Sequence, residues 1–217
     1  MSDDKETASP NSANGSAPAA CTVRECGQYA DLVEPCGTGT GEDVQLVMDA
    51  LMQLPECILK KLKDQRTKIK VGRGGITDCL THLKGKRPRS WPEGYTYDQI
   101  TGMYEATNVV YIATISGFLG GRRVPRQGEG HNSYDLTLHE TFHAVDRRGK
   151  YSLSEAFKRA VKLDQKSLSD YEDTRRREAF AETAARFFAR DPTLKSERLN
   201  LYKYFEDNFE NCRLFRR

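Results

Sequence analysis

Residues 139–143 read His139-Glu140-Thr141-Phe142-His143, and no other stretch restricts the folding of this chain so tightly. Two histidines four apart share a face only on an α-helix, where positions i and i+4 lie one turn apart. On that face two imidazoles can hold one Zn²⁺. The carboxylate directly after the first His can reach a water there and take its proton. The flanks predict a helix. Asn132 or Ser133 can cap its start, Leu138, Phe142 and Val145 form an apolar stripe, and Gly149 is a natural stop. The competing reading is a helix with two exposed histidines and no metal. With only four histidines in the chain, chance rarely produces the pattern, and the metal reading is the stronger.

A catalytic zinc takes a third protein ligand and keeps a fourth position open. Residues 175–190, RRREAFAETAARFFAR, offer one. At about 100° per residue, Glu178, Ala181, Glu182, Ala185 and Ala189 fall on one helix face, with Phe180, Ala184 and Phe187 on the other. Small side chains let that helix approach another closely, with the two acids between them. One acid can ligate the metal and the other can hold a ligand imidazole by its second nitrogen. Alternatively both glutamates pair with Arg175, Arg177 or Arg186 at the surface. Asp146 is a weaker candidate ligand; it could equally fix the helix end or support a ligand from behind.

The rest of the chain supplies a frame. Residues 1–42 hold seven acids and two bases, so the overall charge of +3 leaves the remainder at +8. The first twenty residues, rich in Ser, Ala, Asn and Pro, cannot bury enough apolar surface to offset chain entropy. Residues 1–42 are therefore expected to be a disordered tail, and 43–217 one folded domain. Helical spacing runs from Val44 to Leu54 and again over Ile58, Leu59 and Leu62. Lys68–Val71 alternates like a short strand, and NVVYIATI (108–115) is the strongest strand signal. Residues 84–95 and 117–130 read as loops, and from Ser133 the chain reads as helical to its end. This order predicts an α+β domain. No run of about 18 apolar residues exists, which excludes a spanning helix. The six cysteines are scattered. A body of this size needs no staples, so they are expected to be mostly free thiols, with a disulfide among Cys21, Cys26 and Cys36 left open.

HETFHAVD (139–146), Tyr171 and REAFAETAARFFA (177–189) together resemble the protease domain of anthrax lethal factor and its relatives, the clostridial Pro-Pro endopeptidases. Ala144-Val145-Asp146 follows the second His as in that family, and Glu178-Ala-Phe-Ala181-Glu182 matches the segment that supplies its third ligand. The resemblance implies a zincin-like fold, with a small mixed sheet, an edge strand over the metal helix and a helical C-terminal half. It implies one Zn²⁺ per chain on His139, His143 and Glu178, with Glu182 and Asp146 behind them. Glu140 would be the general base, and Tyr171, seven residues before Glu178, the oxyanion donor. GMYEATNVVYIAT (102–114) is similar to the family's edge strand, so a protein substrate is expected to add as an extended strand along 108–114. The departures are Thr141 and Phe142 inside the motif and the long, basic 117–130 loop.

The expected activity is thus zinc-dependent endopeptidase action on a protein by a monomer. The alternative is a zincin-fold binding protein without catalysis. The tail resembles those of injected bacterial effectors. It suggests type III-like export and delivery to a host cytosol, with an ordinary cytoplasmic protein as the other reading. Lys84, Lys86, Arg87 and Arg89, near Trp91 and Tyr95, and then Arg122, Arg123 and Arg126, form two basic clusters. They read as solvated loops, with residues 120–126 as a candidate arm for an acidic substrate segment. Neither a recognition helix nor a stacking platform accompanies them, so no nucleic-acid partner is expected.

Overall fold

The computed structural model describes residues 27–89, 91–118, 120–164 and 173–215. A short strand β1 (Val33–Pro35) comes first. Helix α1 (Gly41–Leu51) starts at Thr40, which forms a reciprocal capping box with Asp43. Helix α2 (Glu56–Asp64) opens after Pro55 and buries Ile58, Leu59 and Leu62. Strands β2 (Lys68–Arg73), β3 (Gly102–Glu105), β4 (Val109–Ser116) and β5 (Arg122–Arg123) follow. The C-terminal half is helical: α3 (Leu136–Val145), α4 (Glu155–Asp164), α5 (Asp173–Phe188), α6 (Leu194–Glu197) and α7 (Leu199–Phe205), the last running into a π turn at Glu206–Glu210. Among the described residues no helix is long and apolar enough to cross a membrane.

The sheet is mixed, in the order β1-β2-β4-β3, with β5 on the far end of β4. β1 and β4 both run parallel to β2, while β3 is antiparallel to β4. β4 is therefore an inner strand. Lys68–Arg73 pairs along Val109–Thr114 on one side, and Gly102–Glu105 pairs along Val109–Ile112 on the other. Its run of buried residues from Val110 to Thr114 is what a strand covered on both faces shows: Val110 and Ile112 join the main core, and Tyr111 packs with Ile76 and Leu80 on the other side. This corrects the expected substrate strand along 108–114: those backbone groups are already paired, and the edge beside α3 is β3.

The folded body also begins earlier than residue 43. Tyr29, Leu32 and Val33 lie in the main core, and β1 pairs with β2 from Val33 onward. β1 was invisible to patterning because three residues ending in Pro carry no period; its partner, β2, creates it. The first twenty-six residues, to which most of the expected tail belongs, lie outside those described.

The cysteines are a second correction. Cys36 bonds Cys79 and Cys57 bonds Cys212, and no described cysteine is free. The first ties the turn after β1 to the turn after β2. The second ties α2 to the C-terminal end across a sequence separation of 155.

Behind α3 lies an aromatic cluster. Phe142 stacks on Phe188 at 5.2 Å and meets Phe205 and Phe209 edge-on near 6 Å. Phe180 in turn packs on Phe157, Phe205 and Phe209. With Leu138, Phe142 and Val145 all fully buried, α3 has one stable rotation, which turns its histidines away from this cluster. Losing the Phe142 ring would cost about 3–5 kcal/mol.

A buried polar knot pins the opposite corner. Asp43, wholly buried, accepts from Thr40, Thr114, Arg73 and Arg122, joining α1 to β2, β4 and β5.

Candidate active site

Asp135, rather than Asn132 or Ser133, caps α3: its Oδ1 accepts from the Leu138 N–H at 2.9 Å. His139 and His143 then emerge one turn apart, their Nε2 atoms 3.2 Å from each other. α5 packs along α3 through its alanine face, where Ala181 and Ala185 are fully buried. That close approach delivers two carboxylates. Glu178 Oε2 lies 3.3 Å from His139 Nε2, and its Oε1 lies 3.4 Å from His143 Nε2. Glu182 Oε2 lies 3.2 Å from the other nitrogen of His139, Nδ1, while its Oε1 accepts from the Tyr134 N–H at 3.1 Å. The surface pairing of both glutamates with arginines, the alternative read from sequence, is not what forms.

His139, His143 and Glu178 each offer one donor atom, all within 4.8 Å of one another. Metal–donor bonds of 2.0–2.1 Å in a tetrahedron place donors about 3.3 Å apart. The observed separations of 3.2, 3.3 and 3.4 Å match that edge, so the residues fit a tetrahedral cation. The electrostatics agree. Burial disfavours the charged form of His139, but hydrogen bonds to Glu178 and Glu182 outweigh it and lift its pKa to about 9. Burial also works against ionised Glu178, yet the two imidazoles hold its carboxyl well below the usual range. A cation bound here would take the place of the imidazole proton.

Glu140 faces the same cleft as His143 and Glu178. Burial raises its carboxyl above the usual range, although nearby His139 and His143 and a hydrogen bond from the Tyr104 N–H oppose the shift. A carboxyl raised in this way is suited to take up and return a proton. Asp146 belongs to neither the donor set nor its support. Its carboxylate accepts from Tyr151 N, Ser152 N and Ser152 Oγ, and so fixes the turn that ends α3. Tyr171 lies outside the described residues. Thr141, one of the departures inside the motif, points inward, and its hydroxyl has no partner among the described residues.

Two residues of the site were not singled out from sequence. Tyr104 lays its ring nearly parallel to His143, 13° between planes and 6.4 Å between centroids. Gly102 lets β3 run close over α3, since a Cβ there would sit 2.4 Å from Leu136 Cδ1 and 3.0 Å from Glu140 Cγ. In sequence they entered only as part of the 102–114 segment similar to the family's edge strand. The register also settles which way the backbone groups of β3 turn. The Ala113 N–H donates to Thr101 O, so by antiparallel alternation Met103 and Glu105 turn toward β4, and Gly102 and Tyr104 turn outward. In front of them opens a cleft of about 560 Å³, walled by β3, by the loop bearing Pro88 and Trp91, and by Arg148 and Arg177.

A small mixed sheet whose edge strand overlies a helix carrying His139, Glu140 and His143, with Glu178 brought in from a second helix, defines a zincin-like α+β domain. The chain belongs to the anthrax lethal factor family: residues 29–208 match the model described as anthrax toxin lethal factor, N- and C-terminal domain. It is 30% identical over 192 residues to a Pro-Pro endopeptidase of Paenibacillus alvei, covering 83% of each chain. It is 29% identical over 186 residues to a Pro-Pro endopeptidase of Clostridioides difficile, covering 81% of this chain and 80% of that one. The solved structure of the Paenibacillus alvei Pro-Pro endopeptidase superposes with a TM-score of 0.68 at 30% identity, over 83% of this chain and 99% of that one.

Proposed function

We propose that the chain is a zinc-dependent endopeptidase that cleaves a protein substrate, with a Pro-Pro bond as the first candidate because both curated relatives carry that name. The observation that carries this reading is Glu140, a raised carboxyl in the cleft beside three donors spaced for one tetrahedral cation. His139, His143 and Glu178 would hold Zn²⁺, which supplies Lewis-acid polarisation of the carbonyl and a lower pKa for water. Glu140 takes a proton from the attacking water and passes it to the leaving amine. Glu182 keeps His139 in one tautomer by accepting at Nδ1. Apart from the Tyr104 N–H, which donates to Glu140, the outward backbone groups of Gly102 and Tyr104 offer a β3 edge against which an extended substrate can lie. To Tyr171 we carry over the oxyanion role that the family resemblance implies. A binding protein without catalysis, the alternative reading, would need no proton carrier at Glu140.

The test is metal content together with cleavage of a peptide bearing a central Pro-Pro. About one zinc per chain and cleavage that chelation abolishes support the reading; a protein that binds no zinc and cuts nothing refutes it. On location, we propose an oxidising compartment outside the cell, on the strength of the two disulfides. The same disulfides weigh against delivery to a reducing host cytosol.

A further inference from the structure

The basic cluster at 120–126 looked in sequence like an arm for an acidic substrate, but its first two arginines are spent inside the fold. Arg122 bonds Asp43 and Thr114, and Arg123 closes a two-bonded pair with Glu129. Three cations without a partner among the described residues lie in the cleft. Arg89, Arg148 and Arg177 come from three separate segments and all line it. Among the described residues no ion pair or hydrogen bond engages any of their side chains. The acids lining the same cleft are occupied: Asp146 by the turn after α3, Glu178 by the two imidazoles and Glu140 by the Tyr104 N–H.

The turn after α3 places the Arg177 side chain beside the residue that follows Arg148. Arg148 and Gly149 take φ of 62° and 75°, turning the chain sharply as α3 ends. A Cβ at Gly149 would lie 3.2 Å from Arg177 Nε, so the Arg177 side chain rests on that turn. Like charges along a cleft whose acids are already engaged favour an anionic ligand, and guanidinium groups bind carboxylates through paired, charge-assisted hydrogen bonds.

We propose that Arg89, Arg148 and Arg177 form a carboxylate-reading wall of the substrate cleft, so that the preferred peptide carries a Glu or Asp side chain within a few residues of the cleaved bond. This deepens, and rests on, the endopeptidase reading. The test uses peptides with a central Pro-Pro, acetylated and amidated at their ends so that only side-chain carboxylates count. Glu, or its neutral isostere Gln, is placed in turn at each flanking position. Cleavage by the zinc-loaded wild type is followed by mass spectrometry, and binding to the zinc-loaded Glu140→Gln variant by fluorescence anisotropy. At one or two positions Glu should beat Gln by about tenfold, chiefly through KM or Kd. The advantage should shrink at about 0.5 M salt, because exposed charges are screened. It should fall toward one in the Arg148→Gln/Arg177→Gln double variant. Equal handling of Glu and Gln at every position by the wild type, or a Glu advantage that survives both high salt and the double substitution, overturns the proposal. If no peptide is cleaved but the Glu140→Gln variant still binds Glu peptides more tightly, the arginine wall stands and the endopeptidase reading falls. No cleavage and no difference in binding overturns both.

Discussion

Nδ1 of His139 lies 3.2 Å from Oε2 of Glu182, while Nε2 of the same ring lies 3.3 Å from Oε2 of Glu178. One imidazole is thus gripped on both nitrogens by carboxylates a helical turn apart on α5. The roles differ. Glu178 stands among the donors, and Glu182 stands behind the ring. Glu182→Ala should weaken zinc binding by about 10- to 100-fold, as for a supporting partner. Glu178→Ala should weaken it further, because only two donors remain. Competition against a chromogenic chelator measures both, and the reverse order would exchange the two assignments.

Glu140→Gln keeps the size of the side chain and removes its ability to take a proton. Zinc content should match the wild type, while turnover should drop by about 10²–10⁴. Parallel metal analysis and peptide kinetics check this. A variant that is zinc-loaded and nearly fully active would remove Glu140 from the mechanism.

Gly102→Ala tests the closeness of β3 to α3. The added methyl would meet buried Leu136 and the Glu140 side chain, so it should destabilise the domain by about 1–3 kcal/mol. It should also reduce kcat/KM by displacing the edge that carries Tyr104. Thermal melts and kinetics on the purified variant read the two effects, and a Tm and rate equal to wild type would show that the edge has room to spare.

Asp43 should shape acid stability. Its burial pushes the carboxyl up, but hydrogen bonds from Thr114, Thr40 and Arg73 outweigh this and hold it far below the usual range. A depressed carboxylate contributes stability that is fully present above its unfolded pKa, about 3.9, and is lost as pH falls through the folded value. Melting temperature should therefore be insensitive to Asp43 ionisation from neutral pH down to about pH 4 and should fall below that. Asp43→Asn should be less stable by about 3 kcal/mol at neutral pH, since it leaves the half-buried Arg73 and Arg122 charges without their buried partner. Its acid limb should be flatter. Melts between about pH 2 and 7 on both proteins decide it, and parallel curves would contradict the assignment.

Removing the Cys57–Cys212 bond by double alanine substitution should cost about 2–5 kcal/mol, because the bond closes most of the chain into one loop and restricts the unfolded state. Chemical denaturation of the variant against the oxidised wild type gives the difference directly. Equal midpoints with equal slopes would show that the bond adds nothing to the equilibrium.

Local rules carried much of this protein. The i, i+4 spacing of His139 and His143, the Phe142 stripe and the alanine face of α5 are periodic features, so the metal helix and its partner could be read directly from residue order. The separation of Glu178 from Glu182 by one turn likewise announced two acids on one face. What residue order could not state was which strand is covered. β4 carries the strongest strand signal because both of its faces are covered, and its pairing with β2 on one side and β3 on the other closes it to substrate; the weaker β3 is the open edge. β1 exists only because β2 lies beside it. The cysteine pairs depend on Cα positions brought within 6.0 Å across separations of 43 and 155 residues, which spacing along the chain does not encode. Nor does a run of arginines reveal which charges are spent. Arg122 and Arg123 found acids inside the fold, whereas Arg89, Arg148 and Arg177, far apart in sequence, were left facing one cleft. Periodicity is a property of a segment and can be read within it. Pairing, edge exposure and the neutralisation of charge belong to contacts between segments, and only the assembled structure decides those.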